Sequence, residues 1–258
     1  MRTIARSATV ILVATLAVVP LALLAIYSLA RSWFWPNLAP ERWDVSAWTY
    51  VFSRDSGLSS SLATSAGIAA IVSIIAVAVA LPAARAVAWR EFHGKRALLF
   101  LLLLPVLSPP LAAAMGLHAI FLRVGLEDTI AGVVLVHLVP ALPYAILMLA
   151  GSFSRLDPDL EAQARTLGAS PLQVFLKVTL PAIAPGVAVA AAFAFLVSWS
   201  QYLITLFVGG GRVSTLPLLL VSFLNGGNQA IGAALSLVFI LPTIVVFMTV
   251  SRYLRYAE

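Results

Sequence analysis

Apolar residues run along most of this chain with few interruptions. Six runs, near 8–30, 61–84, 97–122, 129–152, 185–208 and 230–250, contain no Asp, Glu, Lys or Arg. A bilayer core of roughly 30 Å needs about 20 helical residues, so each run is long enough to cross one. The pattern predicts an all-α integral membrane protein of six transmembrane helices, read as one domain over 1–258. The first run follows Arg2 and Arg6 and ends on "SLA", as a signal peptide would, but its apolar core is too long for one and is expected to stay as an anchor.

One interruption is polar and ordered: "DPDLEAQARTLGASPLQVFLKVTLP", residues 157–181. Asp157 is placed as an N-cap with Pro158 at the first helical position, where a missing N–H costs nothing. Asp159 and Glu161 suit the positive end of the helix dipole, and Glu161 pairs with Arg165 at i,i+4. Leu160, Ala164 and Leu167 share a face, and Gly168 follows as a C-terminal cap. Ser170, Pro171 and Gln173 then open a second helix with a capping box. Leu172, Phe175, Leu176 and Thr179 recur at helical spacing, and Pro181 is expected to end the run. Two short helices hinged at Gly168-Ala169 thus present an apolar stripe, for a partner's groove, for the membrane surface or for the chain's own spans.

Composition agrees. The chain is 62% hydrophobic and 10% charged, with a mean hydropathy of +1.03, where soluble domains carry about a quarter charged residues. Without cysteine, thiol catalysis, thiolate metal sites and disulfides are excluded. Prolines in or beside the runs (Pro20, Pro82, Pro105, Pro109, Pro110, Pro140, Pro143, Pro185, Pro242) are expected to disturb helices, which lipid tolerates only where neighbours or water satisfy the freed carbonyls. With six crossings and both termini in the cytoplasm, inside segments hold Arg2, Arg6, Arg85, Arg90, Lys95, Arg96, Arg155, Arg165, Lys177, Arg252 and Arg255. Outside segments hold Arg31, Arg42, Arg54, Arg123 and Arg212. That bias favours the orientation and puts 157–181 in the cytoplasm.

The insert resembles the EAA loop of permease subunits of bacterial binding-protein-dependent ABC importers: E-A-A, three residues, Gly, nine residues, Ile-x-Leu-Pro. Counted from Gly168, the E-A-A slot holds Ala162-Gln163-Ala164, and Val178, Leu180 and Pro181 fill the last slot. The family Glu position is Ala162, with an acid one residue earlier at Glu161. The tail "SWSQYLITLFVGGGRVSTLPLLL" is similar to the polyamine, ferric-iron, phosphonate and thiamine branch. The resemblance implies a type I importer permease with a coupling helix between the fourth and fifth spans. Glu161, Ala162, Ala164, Arg165, Gly168, Ala169, Ser170, Pro171, Leu172, Phe175, Leu180 and Pro181 would form the ATPase contact. It implies a dimer of ATP-binding subunits holding ATP and Mg, a second permease (homologous, or another copy) and a periplasmic or lipid-anchored solute-binding protein. The location would be the bacterial cytoplasmic (inner) membrane. No nucleic acid partner, bound cofactor or metal is expected for this chain.

No catalytic constellation competes with this. "GGGR" at 209–212 lacks the Walker A spacing and reads as a flexible loop. His93, His118 and His137 lie apart, without metal-ligand spacing. No nucleophile elbow occurs, so a membrane enzyme is disfavoured. An ATP-independent channel or secondary transporter would show internal repeats and charged or discontinuous mid-span sites; no clear repeat occurs here and the runs are free of charge. In "SWSQYLIT", Ser198, Gln201, Tyr202 and Thr205 fall on one helical face. With Trp199 and His118 they are the candidate substrate pathway, or else hydrogen-bond between helices. The segment 31–57 is Trp-rich, as an interfacial belt is, and on the outer side it also suits contact with a solute-binding protein.

Overall fold

In the computed structural model, residues 15–256 are described, apart from Ala17, Phe34, Trp35 and Leu38. Arg2, Arg6, the start of the first expected span and Trp35 of the expected belt therefore lie outside the described residues. The elements run α1 (Val18–Ser28), β1 (Ala30–Ser32), β2 (Arg42–Trp43), α2 (Ser46–Val51), α3 (Leu58–Trp89), α4 (Lys95–Leu107), α5 (Pro110–Arg123), α6 (Ile130–Phe153) and α7 (Asp159–Thr166). Then follow α8 (Pro171–Val174), a π-helical stretch Phe175–Thr179, α9 (Leu180–Trp199), α10 (Leu203–Val208), α11 (Leu216–Asn225) and α12 (Gln229–Tyr256).

Among the described residues four helices are long and apolar enough to cross a membrane: Leu58–Trp89, Ile130–Phe153, Pro171–Trp199 and Gln229–Arg255. Two of the six expected runs have a different form. The run 97–122 is not one straight helix: α4 and α5 meet at a bend of 103°. The cause is "SPP". Proline disfavours the α region for the residue before it, and Ser108 (ψ 143°) and Pro109 (ψ 127°) are both extended, while Pro110 starts α5. The run 185–208 is likewise broken. α9 ends at Trp199 and the chain turns at Ser200–Tyr202 before α10. By contrast Pro82, Pro105, Pro140, Pro143, Pro185 and Pro242 sit inside continuous helices.

The chain forms two compact units. In the first (residues 1–62 and 215–244), β1 and β2 pair antiparallel, Ala30 opposite Trp43. Arg31 and Asp44 make an ion pair at 3.4 Å, and hydrogen bonds from Ser46 hold the Asp44 carboxyl below its ordinary value. Trp48 Nε1 donates to Ser28 Oγ at 3.1 Å, and Tyr50 meets Phe223 edge to face. Trp43 stays largely exposed.

The second unit (63–214 and 245–258) is built around α6. Val133, Val136, Ala141, Ala145 and Leu149 are fully buried along it. α3 meets this core with Ala76, Ala80 and Ala84, one turn apart, and α9 with Ala190 and Ala194. Lipid tails are as apolar as leucine, so helices associate in membranes through close packing, and small side chains permit it. Ser73 Oγ adds an interhelical bond to the Ala191 carbonyl at 2.8 Å.

Candidate functional site

The polar insert folds as two short helices about a tight hinge. The first helix begins at Asp159, one residue later than expected, so that Pro158 and not Asp157 stands at the N-cap position; the Asp157 side chain still accepts the Asp159 N–H at 3.0 Å. At the other end Gly168 is left-handed (φ +85°). Its N–H reaches the Arg165 carbonyl, and that of Ala169 reaches Ala164, the paired bonds of a Schellman end. Ser170 and Gln173 form the expected capping box.

Pro181 does not end the run, contrary to the expectation. α8 continues through the π-helical stretch into α9, with the Leu180 N–H bonded to the Phe175 carbonyl five residues back. Proline supplies no N–H, and its ring crowds the carbonyl four residues earlier; one widened turn relieves that crowding. The widening also rotates the face read from helical spacing. Thr179 is fully buried rather than aligned with Leu172 and Leu176, and Val174 faces inward with it. Phe175 is half-buried. The exposed apolar set is Leu167 (87%), Leu172 (66%) and Leu176 (50%). Ala162, Arg165, Ser170, Pro171 and Pro181 are exposed too, while Ala164, Ala169 and Leu180 are half-buried.

Glu161 departs most from its expected place on the contact surface. It is 4% exposed because its carboxylate is claimed from inside. Arg85, in the last turns of α3, pairs with Oε2; Arg165 approaches the same oxygen at 3.3 Å; and Thr179 donates to Oε1 at 2.7 Å. The Arg85 guanidinium lies 5.0 Å from the centroid of the Trp89 ring. Trp89 Nε1 donates to the Phe153 carbonyl at 2.8 Å, and the two rings stack edge to face. The C-terminal ends of α3 and α6, the insert and the start of α9 thus form one cluster. Sequence reasoning found the Glu161–Arg165 pair but missed Arg85, Trp89 and Thr179.

The proposed pathway face is not one helical face, because the chain turns within it. Ser198 and Thr205 are buried and both bond to His137 of α6, Ser198 Oγ to Nδ1 and Thr205 Oγ1 to Nε2, each at 2.9 Å. Thr205 donates its proton to the Gln201 carbonyl, so Nε2 donates to Thr205 and Nδ1 accepts from Ser198. Trp199 is buried and stacks on Phe195. Gln201 and Tyr202 are partly exposed in the turn. His118 is separate from these, its ring tilted against Phe207, with Nδ1 buried and lacking a hydrogen-bond partner. The "GGGR" loop is an ordered turn in which Arg212 faces Asp128 at 3.8 Å. Among the described residues no group of three or more His, Asp or Glu side chains is arranged to hold a metal ion.

A family model described as "Binding-protein-dependent transport system inner membrane component" matches residues 76–257. The chain is 35% identical to the trehalose transport system permease protein SugB of Mycobacterium tuberculosis, over 73% of this chain and 72% of that protein. It is 32% identical to the alpha-glucoside transport system permease protein AglG of Rhizobium meliloti, over 86% of this chain and 60% of that one. A solved bacterial ABC transporter involved in import of the acidic polysaccharide alginate has the same fold. The TM-score is 0.74 at 18% identity, covering 97% of this chain and 95% of that chain. Sugar transport in these names departs from the polyamine, ferric-iron, phosphonate and thiamine branch suggested by the tail, a segment of only 23 residues.

Proposed function

Since the chain belongs to the inner membrane components of binding-protein-dependent transport systems, as a permease subunit of an ABC importer whose ATPase is a separate subunit, we propose that residues 157–181 are its contact with that ATPase. The observation that carries this is the exposure of Leu167, Leu172 and Leu176 on a capped, hinged pair of helices whose opposite side is bonded into the bundle. Burying a leucine side chain is worth roughly 1.5–3 kcal/mol before the costs of binding, so an apolar groove on the ATPase gains by covering it. The insert then faces the cytoplasm, as do both termini. A second permease completes the pathway, and a solute-binding protein delivers cargo at the opposite face, where ATP and Mg play no part.

The cargo we propose is a carbohydrate. The names of the two relatives support it, and so does the absence of Asp and Glu from α3, α6, α9 and α12, since a polycation would need buried carboxylates along its path. Leu172→Asp tests the coupling reading. A charge there must be desolvated on docking, so the variant is expected to accumulate normally in the membrane yet lose the co-purifying ATPase and uptake together. Retention of both would refute the reading.

A further inference from the structure

The carboxylate at Glu161 is poorly placed to touch a partner and well placed to join this chain's own helices. An acid that is 4% exposed is costly unless paired and hydrogen-bonded, and here all its partners come from within the chain. Arg85 belongs to α3, Thr179 to the π-helical stretch that leads into α9, and Arg165 to the same short helix as the acid. Arg85 is itself steered by Trp89, which is fixed to the end of α6. Ala162 and Gln163, the next two residues, are exposed. One residue of α7 therefore faces the bundle while its neighbours face solvent.

Resting on the reading of the insert as the ATPase contact, we propose that Glu161 is a positioning residue that rigidly couples the insert to the spans. Movement of the insert reaches α3 through Arg85 and α9 through Thr179, in addition to the covalent path along α8 and α9. Hydrogen bonds to an ionised group are short and directional, and a buried carboxylate with three partners has few alternative arrangements. Docking itself needs none of these bonds. Loss of the link should therefore separate transport from hydrolysis without releasing the ATPase.

The test uses the complete transporter in liposomes, with ATPase retention, ATP hydrolysis and cargo uptake measured for each variant. Glu161→Gln keeps the volume and an oxygen for Thr179 but loses the charge facing Arg85. It should retain the ATPase while uptake per ATP hydrolysed falls about tenfold, the order set by one hydrogen bond to a charged group. Thr179→Val should lower the same ratio, and Thr179→Ser should restore it. Should Glu161→Gln not accumulate, the Thr179 pair decides the matter alone. An unchanged ratio in Glu161→Gln and Thr179→Val overturns the proposal. So does loss of the ATPase from Glu161→Gln, which would put the acid in the docking surface. Failure of the docking reading is seen separately, as ATPase retention by Leu172→Asp.

Discussion

Gly186 of α9 lies directly against Ser152 of α6: a Cβ built there would approach the Ser152 hydroxyl closer than any real contact and its Cβ to 2.6 Å. The Ser152 side chain fills the space a larger residue would need, which is the reason for glycine at this position. Gly186→Ala should therefore lower the thermal stability of the purified protein by about 1–3 kcal/mol, the usual cost of overpacking. The serine Cβ obstructs as well as the hydroxyl, so Ser152→Gly should rescue the variant and Ser152→Ala should not. The sequence displays Gly186 but not its neighbour, 34 positions earlier. Glu161 poses the same difficulty. Its i,i+4 relation to Arg165 could be read locally, whereas Arg85 lies 76 residues away, and no local pattern encodes a pairing at that distance. Residues whose roles depend on nearby spacing, such as Ser170, Gln173 and Gly168, were legible for the converse reason.

At the scale of elements, the sequence reports where apolar runs begin and end better than it reports where they bend. "SWSQYLIT" has helical periodicity, yet the helix stops at Trp199 and resumes as α10. The polar residues serve that break. The imidazole of His137 spans it, holding Ser198 on one side and Thr205 on the other. Buried polar groups in a bundle need partners, so the break and the histidine depend on each other. Replacing His137 with Phe removes both bonds and strands the Ser198 hydroxyl, although Thr205 keeps the Gln201 carbonyl. An unsatisfied buried group costs about 1–3 kcal/mol, and a loss of that size in thermal melts of His137→Phe is expected. His137→Gln, which can donate and accept, should recover part of it. Equal stability of His137→Phe and the parent would show that the turn holds without the bridge. Pro181 carries a similar lesson, since sequence rules mark proline as a stop and do not anticipate the widened turn that admits it.

For the molecule as a whole, the question is which segments share a side of the membrane, and within the second unit the contacts restrict the answer. Arg85 and Trp89, late in α3, meet Glu161 and Phe153, so α3 and α6 end together. α6 therefore begins at the opposite end, where the Asp128 N–H bonds the Val208 carbonyl at the close of α10. α4 starts six residues after α3 ends, and α5 finishes seven before α6 begins. Between Lys95 and Arg123 the chain must pass from one end of the unit to the other. We infer that α4 and α5, despite their bend, make one crossing and not a re-entrant loop. With no native cysteine, single substitutions at the exposed residues Phe92, Val124 and Leu167 report their sides through a membrane-impermeant maleimide. A crossing requires Phe92→Cys and Leu167→Cys to react only in inverted vesicles, and Val124→Cys only in intact cells. A re-entrant pair would instead give Phe92→Cys and Val124→Cys the same side and Leu167→Cys the other. Reaction of Leu167→Cys from outside the cell would remove the insert from the ATPase altogether, because that partner has access only to the cytoplasmic face.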